Sequence, residues 1–184
     1  MRRLLTATLC LLLLAPFSQA GQFRFNTGLT AGRFAVDLDA STPIPEELND
    51  DRAAGLYLYL GYQTNSRFLL DIGASTQSNV ALMNVTEGAY TRSIEALAGY
   101  ALQWKALYIE PKAGYAQWRD VVKESEEYSM GQPQEFEQEG QSPVYVGTLG
   151  LRFTPNTALA LSYRSLALDD EPRESLMLGI STRF

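Results

Sequence analysis

The chain has 184 residues, of which 21 are acidic and 15 basic, so that its formal net charge is −6; it contains no histidine and a single cysteine. The acidic balance argues against nucleic acid as a partner, because phosphate backbones are bound by basic surfaces. The absence of histidine removes the commonest general base from any enzymatic hypothesis.

Residues 1–20 are predicted to be a cleaved signal peptide. Two arginines precede an apolar run over residues 4–15, which is too short to cross a hydrocarbon core of about 30 Å as a helix. Pro16 ends the run, which disfavours the alternative of an uncleaved anchor. Small residues before the predicted cleavage site after Ala20 suit a signal peptidase, so residues 21–184 form the predicted mature domain.

The only cysteine, Cys10, lies inside the predicted signal peptide. Leu9 stands immediately before it, where a lipoprotein would have a small residue, so lipidation is disfavoured. Without residues 1–20, 13 basic residues remain against 21 acidic ones, a formal charge of −8. Neither disulfides nor cysteine–metal chemistry is therefore expected in the mature domain, and no cofactor is predicted.

Eight segments of the mature chain alternate apolar and polar residues with a period of two, which indicates β-strands with one apolar face. In chain order the positions on the apolar faces are Phe23, Phe25, Leu29; Leu56, Leu58, Leu60, Tyr62; Phe68, Leu70, Ile72, Ala74; Ile94, Ala96, Ala98, Tyr100; Leu107, Ile109, Ala113, Tyr115; Tyr145, Gly147, Leu149, Leu151, Phe153; Leu159, Leu161, Tyr163; and Leu176, Leu178, Ile180, Thr182, Phe184. The phase of the first segment changes near Gly32 and Arg33, which predicts a β-bulge there.

The connections between these segments alternate in length. The long ones run over 39–52, 75–88, 119–142 and 169–173, and the short ones over 63–66, 103–105 and 154–156. Outer-membrane barrels have short periplasmic turns and longer external loops, and an even strand number places both termini on the periplasmic side. The alternation therefore predicts an eight-stranded antiparallel up-and-down transmembrane β-barrel in the outer membrane of a Gram-negative cell.

Charged residues fall on the polar faces of the predicted strands. They are Arg24, Asp71, Glu95, Glu110, Lys112, Arg152 and Arg164. An arginine or lysine that faces lipid at the bilayer midplane costs about 2–4 kcal/mol, so these residues are predicted to form a charge network inside the barrel. Glycines on the same faces are expected to make room for Tyr57, Tyr59 and Met177.

Aromatic residues cluster at both ends of the strands, which predicts two interfacial girdles. The periplasmic set is Phe25, Tyr62, Phe68, Tyr100, Trp104, Phe153 and Phe184, and the external set is Phe34, Tyr90, Tyr115 and Tyr145. A secreted soluble barrel of the lipocalin type is the alternative fold, since it also has eight strands. It would turn the apolar faces inward around a ligand and leave the charged residues outside.

The last two strands resemble a known family. Residues 153–168, FTPNTALALSYRSLAL, resemble the penultimate hairpin of the small OmpA/OmpX-type outer-membrane β-barrels, and residues 174–184, ESLMLGISTRF, resemble the C-terminal assembly signal of that family. The resemblance implies insertion by the barrel-assembly machinery, with Phe184 as the recognition residue. It implies no single activity, because barrels of this size serve as anchors, adhesins, lipid A enzymes and surface proteases.

The absence of histidine argues against the enzymatic members, whose chemistry relies on that residue. The prediction is therefore a monomeric, non-enzymatic barrel with a structural, envelope-integrity or surface-contact role. A narrow channel for ions or small solutes is the alternative, although about eight strands enclose an interior that side chains nearly fill.

The predicted external loops are strongly acidic, and rigid barrels commonly carry function in such loops. Acidic residues there are Glu46, Glu47, Asp50, Asp51, Glu124, Glu126, Glu127, Glu135, Glu137, Glu139, Asp169, Asp170 and Glu171. Hydration of an exposed surface is the favoured interpretation of this charge. Outer-membrane lipid and lipopolysaccharide are the predicted partners, with Arg33 and Arg92 near the external rim as candidate phosphate contacts.

Overall fold

The computed structural model describes residues 21–33, 52–79, 88–123, 135–168 and 172–184. The predicted signal peptide, the first loop with its acidic residues, and the acidic residues at 124–127 and 169–171 lie outside these ranges, as does Phe34. The described part of the chain contains no helix that is long and apolar enough to cross a membrane.

Antiparallel strands account for almost all described residues. They are β1 (Gln22–Arg33), β2 (Arg52–Gln63), β3 (Phe68–Asn79), β4 (Gly88–Tyr100), β5 (Leu102–Trp104), β6 (Leu107–Lys123), β7 (Glu135–Arg152), β8 (Thr157–Leu166) and β9 (Arg173–Arg183). β4 and β5 both pair with β6 and are separated only by Ala101, so together they make one strand of the barrel wall. Consecutive strands pair, and β1 pairs with β9, so the sheet closes. The predicted eight-stranded antiparallel up-and-down barrel is confirmed.

The strand boundaries correct two predictions. The second and third long connections are shorter than predicted, because β3 continues to Asn79, β6 continues to Lys123 and β7 begins at Glu135. Glu135, Glu137 and Glu139 therefore belong to a strand and not to a loop. The predicted bulge near Gly32 is wrong, since β1 pairs with β2 residue by residue as far as the Arg33–Arg52 pair.

Side chains alternate between the two surfaces of the wall, and the apolar set faces outward. One row crosses six neighbouring strands through direct cross-strand pairs: Leu56, Leu29, Leu178, Leu161, Leu149 and Ile109. Each of these side chains is roughly half exposed or more, whereas most charged residues of the opposite parity are buried, namely Arg24, Asp71, Glu95, Glu110 and Arg164. The alternative of a soluble barrel with an apolar interior is therefore wrong.

The two ends of the barrel differ. At one end, here called the short-turn end, the strands are joined by residues 64–67, 105–106 and 153–156, and both the start of β1 and the C-terminus lie there. Trp104, Phe153 and Phe184 are exposed at this end. The opposite, long-connection end carries residues 34–51, 80–87, 124–134 and 167–172 between strands. The predicted alternation of short and long connections is thus present.

Candidate functional site in the barrel interior

Polar and charged side chains line the interior because every second residue of each strand points inward. They form three groups at different heights. The mouth cluster near the short-turn end consists of Arg24, Asp71, Glu110 and Lys112. Further along the barrel lies the central pair, Glu95 and Arg164, and near the long-connection end lies the upper pair, Asp120 and Arg173.

The mouth cluster joins three strands by short contacts. Arg24 on β1 donates two hydrogen bonds to the Glu110 carboxylate on β6, at 2.5 and 2.9 Å, in the bidentate arrangement that suits a guanidinium. Lys112 donates to Asp71 on β3 at 2.6 Å, and longer contacts of 3.5 Å connect Arg24 with Asp71 and Lys112 with Glu110. Because each charge has an opposite charge at close range, the cluster offsets much of its desolvation cost.

Two further arginines of this region surround the ring of Tyr108. The guanidinium carbon of Arg152 lies 5.5 Å from the ring centroid, and that of Arg183 lies 5.8 Å from it. Gly150 faces Tyr108 directly across the β6–β7 pair, and a Cβ at Gly150 would come within 2.0 Å of the ring. The missing side chain at Gly150 therefore creates the space in which Tyr108 lies.

The central pair is saturated with hydrogen bonds. Arg164 donates from Nε and Nη2 to Glu95 Oε1 at 2.8 and 2.5 Å. The hydroxyl of Tyr59 donates to the other carboxylate oxygen at 2.6 Å, and Ser93 donates to Oε1 at 2.7 Å. Glu95 is only 1% exposed. A carboxylate that accepts this many bonds in a buried position is held in one orientation.

The upper pair was not found by sequence reasoning. Arg173 donates to both carboxylate oxygens of Asp120, at 2.9 and 2.7 Å, and Thr91 donates to the same carboxylate at 2.6 Å. Both charged residues had been placed in loops, although they continue the inward parity of their strands. Every second residue of β6 points inward, so four steps of two residues from Lys112 lead to Asp120.

Apolar and small polar residues fill the space between the mouth cluster and the central pair. Tyr57, Leu97, Val146 and Met177 are each at most 4% exposed and pack together there. A cavity lined by these residues together with Glu110 and Lys112 has a volume of about 20 Å³, which is room for roughly one water molecule. The inward positions of Tyr57, Tyr59 and Met177 agree with the sequence prediction.

The seven residues predicted as an interior network therefore do not form one connected set. Four of them make the mouth cluster, two make the central pair, and Arg152 lies beside Tyr108. Arg183, near the end of β9, reaches Glu110 at 3.9 Å. In the described ranges no three histidine, cysteine, aspartate or glutamate residues are grouped as a metal site would require.

On the outer surface, the candidate phosphate contact Arg92 is exposed and lies 4.8 Å from the ring centroid of Tyr90. The β4–β6 register places Arg119 directly opposite Arg92, so Arg119 belongs to a strand and not to the predicted loop. Arg119 donates a hydrogen bond to Glu137. Arg33 ends β1, but its side chain lies outside the described part of the molecule.

Comparison with known proteins gives similarities in structure alone. Neither a protein-family model nor a curated protein sequence matches the chain. Among solved structures, Ail, the attachment invasion locus protein of Yersinia pestis, is 18% identical with a TM-score of 0.62, over 90% of this chain and 100% of Ail. Neisserial surface protein A is 15% identical with a TM-score of 0.61, over 89% of this chain and 96% of its own.

A third similar structure is the outer-membrane protein OprG of Pseudomonas aeruginosa. It is 12% identical with a TM-score of 0.63, and the match covers 90% of this chain and 97% of OprG. At these identities the likeness concerns the fold: the chain shares the architecture of small eight-stranded outer-membrane β-barrels.

Proposed function

We propose that the chain is a non-enzymatic barrel of the Gram-negative outer membrane that contacts the envelope surface at its long-connection end. The observation that carries the proposal is the outward row of leucines on a closed barrel whose interior holds buried ion pairs. A closed barrel satisfies its backbone groups without water, and an apolar outer surface is what lipid solvates. The similar structures named above support the same location.

Orientation and assembly follow from this location. The short-turn end, with both termini, would face the periplasm, and the long connections would face outward. Residues 1–20 would direct export and be removed, leaving the barrel of residues 21–184. Phe184 is 75% exposed, and its amide donates to the carbonyl of Phe23 at 3.0 Å, which places the terminal ring on the outer wall. This position supports its proposed recognition by the barrel-assembly machinery.

The filled interior supports a scaffold in preference to a channel. Buried side chains that include Tyr57, Tyr59 and Met177 lie in the interior, and the cavity that they line with Glu110 and Lys112 has a volume of about 20 Å³. A hydrated ion does not fit a cavity of this size. We therefore expect the purified barrel to give no stepwise currents in a planar bilayer, and well-resolved single-channel steps would contradict a passive scaffold.

Location is tested by fractionating cells that express the full chain. The protein should appear in the outer membrane, require detergent for extraction, and migrate differently on gels before and after boiling. A native monomer that stays in solution without detergent would contradict the proposal.

Contact with lipopolysaccharide is the finer part of the proposal. Arg92 and Arg119 are cross-strand neighbours on the outer surface, and they lie nearer to the long-connection end than the exposed Tyr115 and Tyr145. Guanidinium groups suit phosphate oxygens. Ail, one of the similar barrels, was solved in complex with the heparin analogue sucrose octasulfate, which supports anion contact by a barrel of this fold. Arg33 is included because it ends β1 at the same end.

The test replaces Arg33 and Arg92 with glutamine together. We expect weaker association of the refolded barrel with lipopolysaccharide in a co-sedimentation assay, with a smaller dependence on salt. Arg67→Gln, which removes an exposed charge at the short-turn end, is the matched control and should leave association unchanged. Equal association of all three proteins would exclude these arginines as contacts.

A further inference from the structure

The interior near the short-turn end contains more positive than negative charge. Among the described residues, Arg24, Lys112, Arg152 and Arg183 are gathered there, and Asp71 and Glu110 are the carboxylates that face them. Each carboxylate is already engaged by a closer cation: Glu110 by Arg24 at 2.5 Å and Asp71 by Lys112 at 2.6 Å. The two remaining arginines therefore lack a close counter-charge within the described part of the chain.

Hydrogen-bond donors in this region also outnumber their acceptors. Nε and Nη2 of Arg152 are buried and have no hydrogen-bond partner among the described residues. Arg183 has a carboxylate contact of only 3.9 Å, to the already engaged Glu110. Buried guanidinium nitrogens without partners are costly, and two like charges on one ring repel each other. An anion bound by both guanidinium groups would relieve both effects.

Residues with short side chains neighbour both arginines. Arg152 ends β7 and is paired across the wall with Ala158, whose short side chain is buried, and Ala158 is paired in turn with Ser181. Arg183 follows two residues later on the same inward face of β9. Both arginines are partly exposed and lie close to the short-turn end, where β7 ends and the C-terminus lies.

We propose that Arg152 and Arg183 form a binding site for a phosphate group at the short-turn end. Planar guanidinium groups bind phosphate oxygens in pairs, and two of them supply the donors and the charge that a phosphate monoester or diester requires. The phosphate could come from the aqueous phase or from a phospholipid headgroup at the rim, and the chemistry of recognition is the same.

The experiment uses the full barrel refolded in phosphate-free alkyl maltoside micelles. Inorganic phosphate is titrated by calorimetry against a background of sodium chloride at constant ionic strength. We expect saturable binding to the unmodified protein and an affinity lower by about tenfold or more for the Arg152→Gln, Arg183→Gln double variant. Arg67→Gln is the matched control and should bind as the unmodified protein does.

A second arm identifies the source of the phosphate. Short-chain phosphatidylglycerol is compared with diacylglycerol of the same chain length, which lacks the phosphate. Binding of inorganic phosphate and of the phospholipid, both lost in the double variant, indicates a general phosphate site; binding of the phospholipid alone indicates a headgroup site. Binding of neither, or equal binding to the double variant, overturns the proposal.

Folding of the variants is checked by the gel shift on boiling. Arg152 makes no hydrogen bond through its two buried nitrogens, so Arg152→Gln alone is expected to fold. If the double variant fails to fold, Arg152→Gln alone is used in the titration. It should bind phosphate more weakly than the unmodified protein does, and an unchanged affinity would overturn the proposal. Phosphate should also raise the unfolding temperature of the unmodified barrel and not that of the variants.

Discussion

The inner and outer surfaces of the barrel wall are built from the same strands but specified in different ways. On the inner surface each side chain has particular partners: Glu95 accepts from Arg164, Tyr59 and Ser93 at 2.5–2.8 Å. On the outer surface, Leu29, Leu178 and their neighbours form a row in which half of each side chain contacts no protein. The position and shape of each side chain therefore affect stability on the inner surface, whereas on the outer surface it is sufficient that the side chain is apolar.

This difference follows from what surrounds each surface. Lipid is as apolar as leucine and adapts to any shape, so the outer surface tolerates exchange among apolar residues. The interior has a fixed cross-section and contains buried charges such as Glu95 and Arg164, so that a lost partner is not readily replaced by water. Mutations at neighbouring positions of one strand should consequently have different costs on the two surfaces.

The largest effect is expected for the central pair. Glu95→Gln keeps the shape but leaves the buried Arg164 without its counter-charge, and removal of one partner of a buried ion pair costs about 3–5 kcal/mol. The measurement is the free energy of unfolding by urea in phospholipid vesicles.

A double variant, Glu95→Gln with Arg164→Met, is the control for that experiment. It removes both charges, so most of the lost stability should return. If Glu95→Gln alone is as stable as the unmodified protein, the interior does not depend on particular partners in the way that we infer.

The second-largest loss of stability is expected for a charge on the outer surface. Leu178→Arg places a charge in the middle of the leucine row and should destabilise the barrel by about 2–4 kcal/mol in vesicles. Leu178→Met, which only changes shape, should cost less than about 1 kcal/mol. The same unfolding assay measures both. A large cost for the methionine variant would show that shape is also specified on the outer surface.

The sequence predicted the surface on which a residue lies better than it predicted the partners of that residue. Parity alone assigned Asp71 and Glu110 to the interior, because the period of a strand is two. It could not show that Arg24 binds Glu110, since this contact depends on how strands far apart in sequence are staggered around the closed barrel. Pairing across a barrel is a property of the closed structure and not of one strand.

Strand ends were harder to predict, for a physical reason. Beyond Tyr115 the outward face of β6 becomes polar, with Gln117 and Arg119, so the apolar pattern stops although the strand continues. Asp120 was missed for this reason. At Gly32 the opposite error occurred: a change in the apolar pattern suggested a bulge, but pairing with Ala53 and Ser175 keeps the register regular.

The smallest predicted effect compares two glycines of β7. Gly150 faces inward, where a Cβ would meet the Tyr108 ring at 2.0 Å, and Gly147 faces outward, where nothing lies within 4 Å of the added carbon. Gly150→Ala should therefore cost about 1–3 kcal/mol, because the ring must move within a filled interior. Gly147→Ala should change the free energy of unfolding by no more than about 0.5 kcal/mol.

Both glycine substitutions add one methyl group to the same strand, three residues apart, so strand propensity and hydrophobicity change equally. Any difference between them reports on packing inside the wall. The Gly150→Ala variant should also move Tyr108 relative to Arg152 and Arg183, since both guanidinium groups lie within 6 Å of that ring. A change in the near-ultraviolet circular dichroism of Gly150→Ala that is absent from Gly147→Ala would show that the strain lies at this ring. Equal free energies of unfolding for the two variants would mean that the interior accommodates an added methyl group as easily as lipid does.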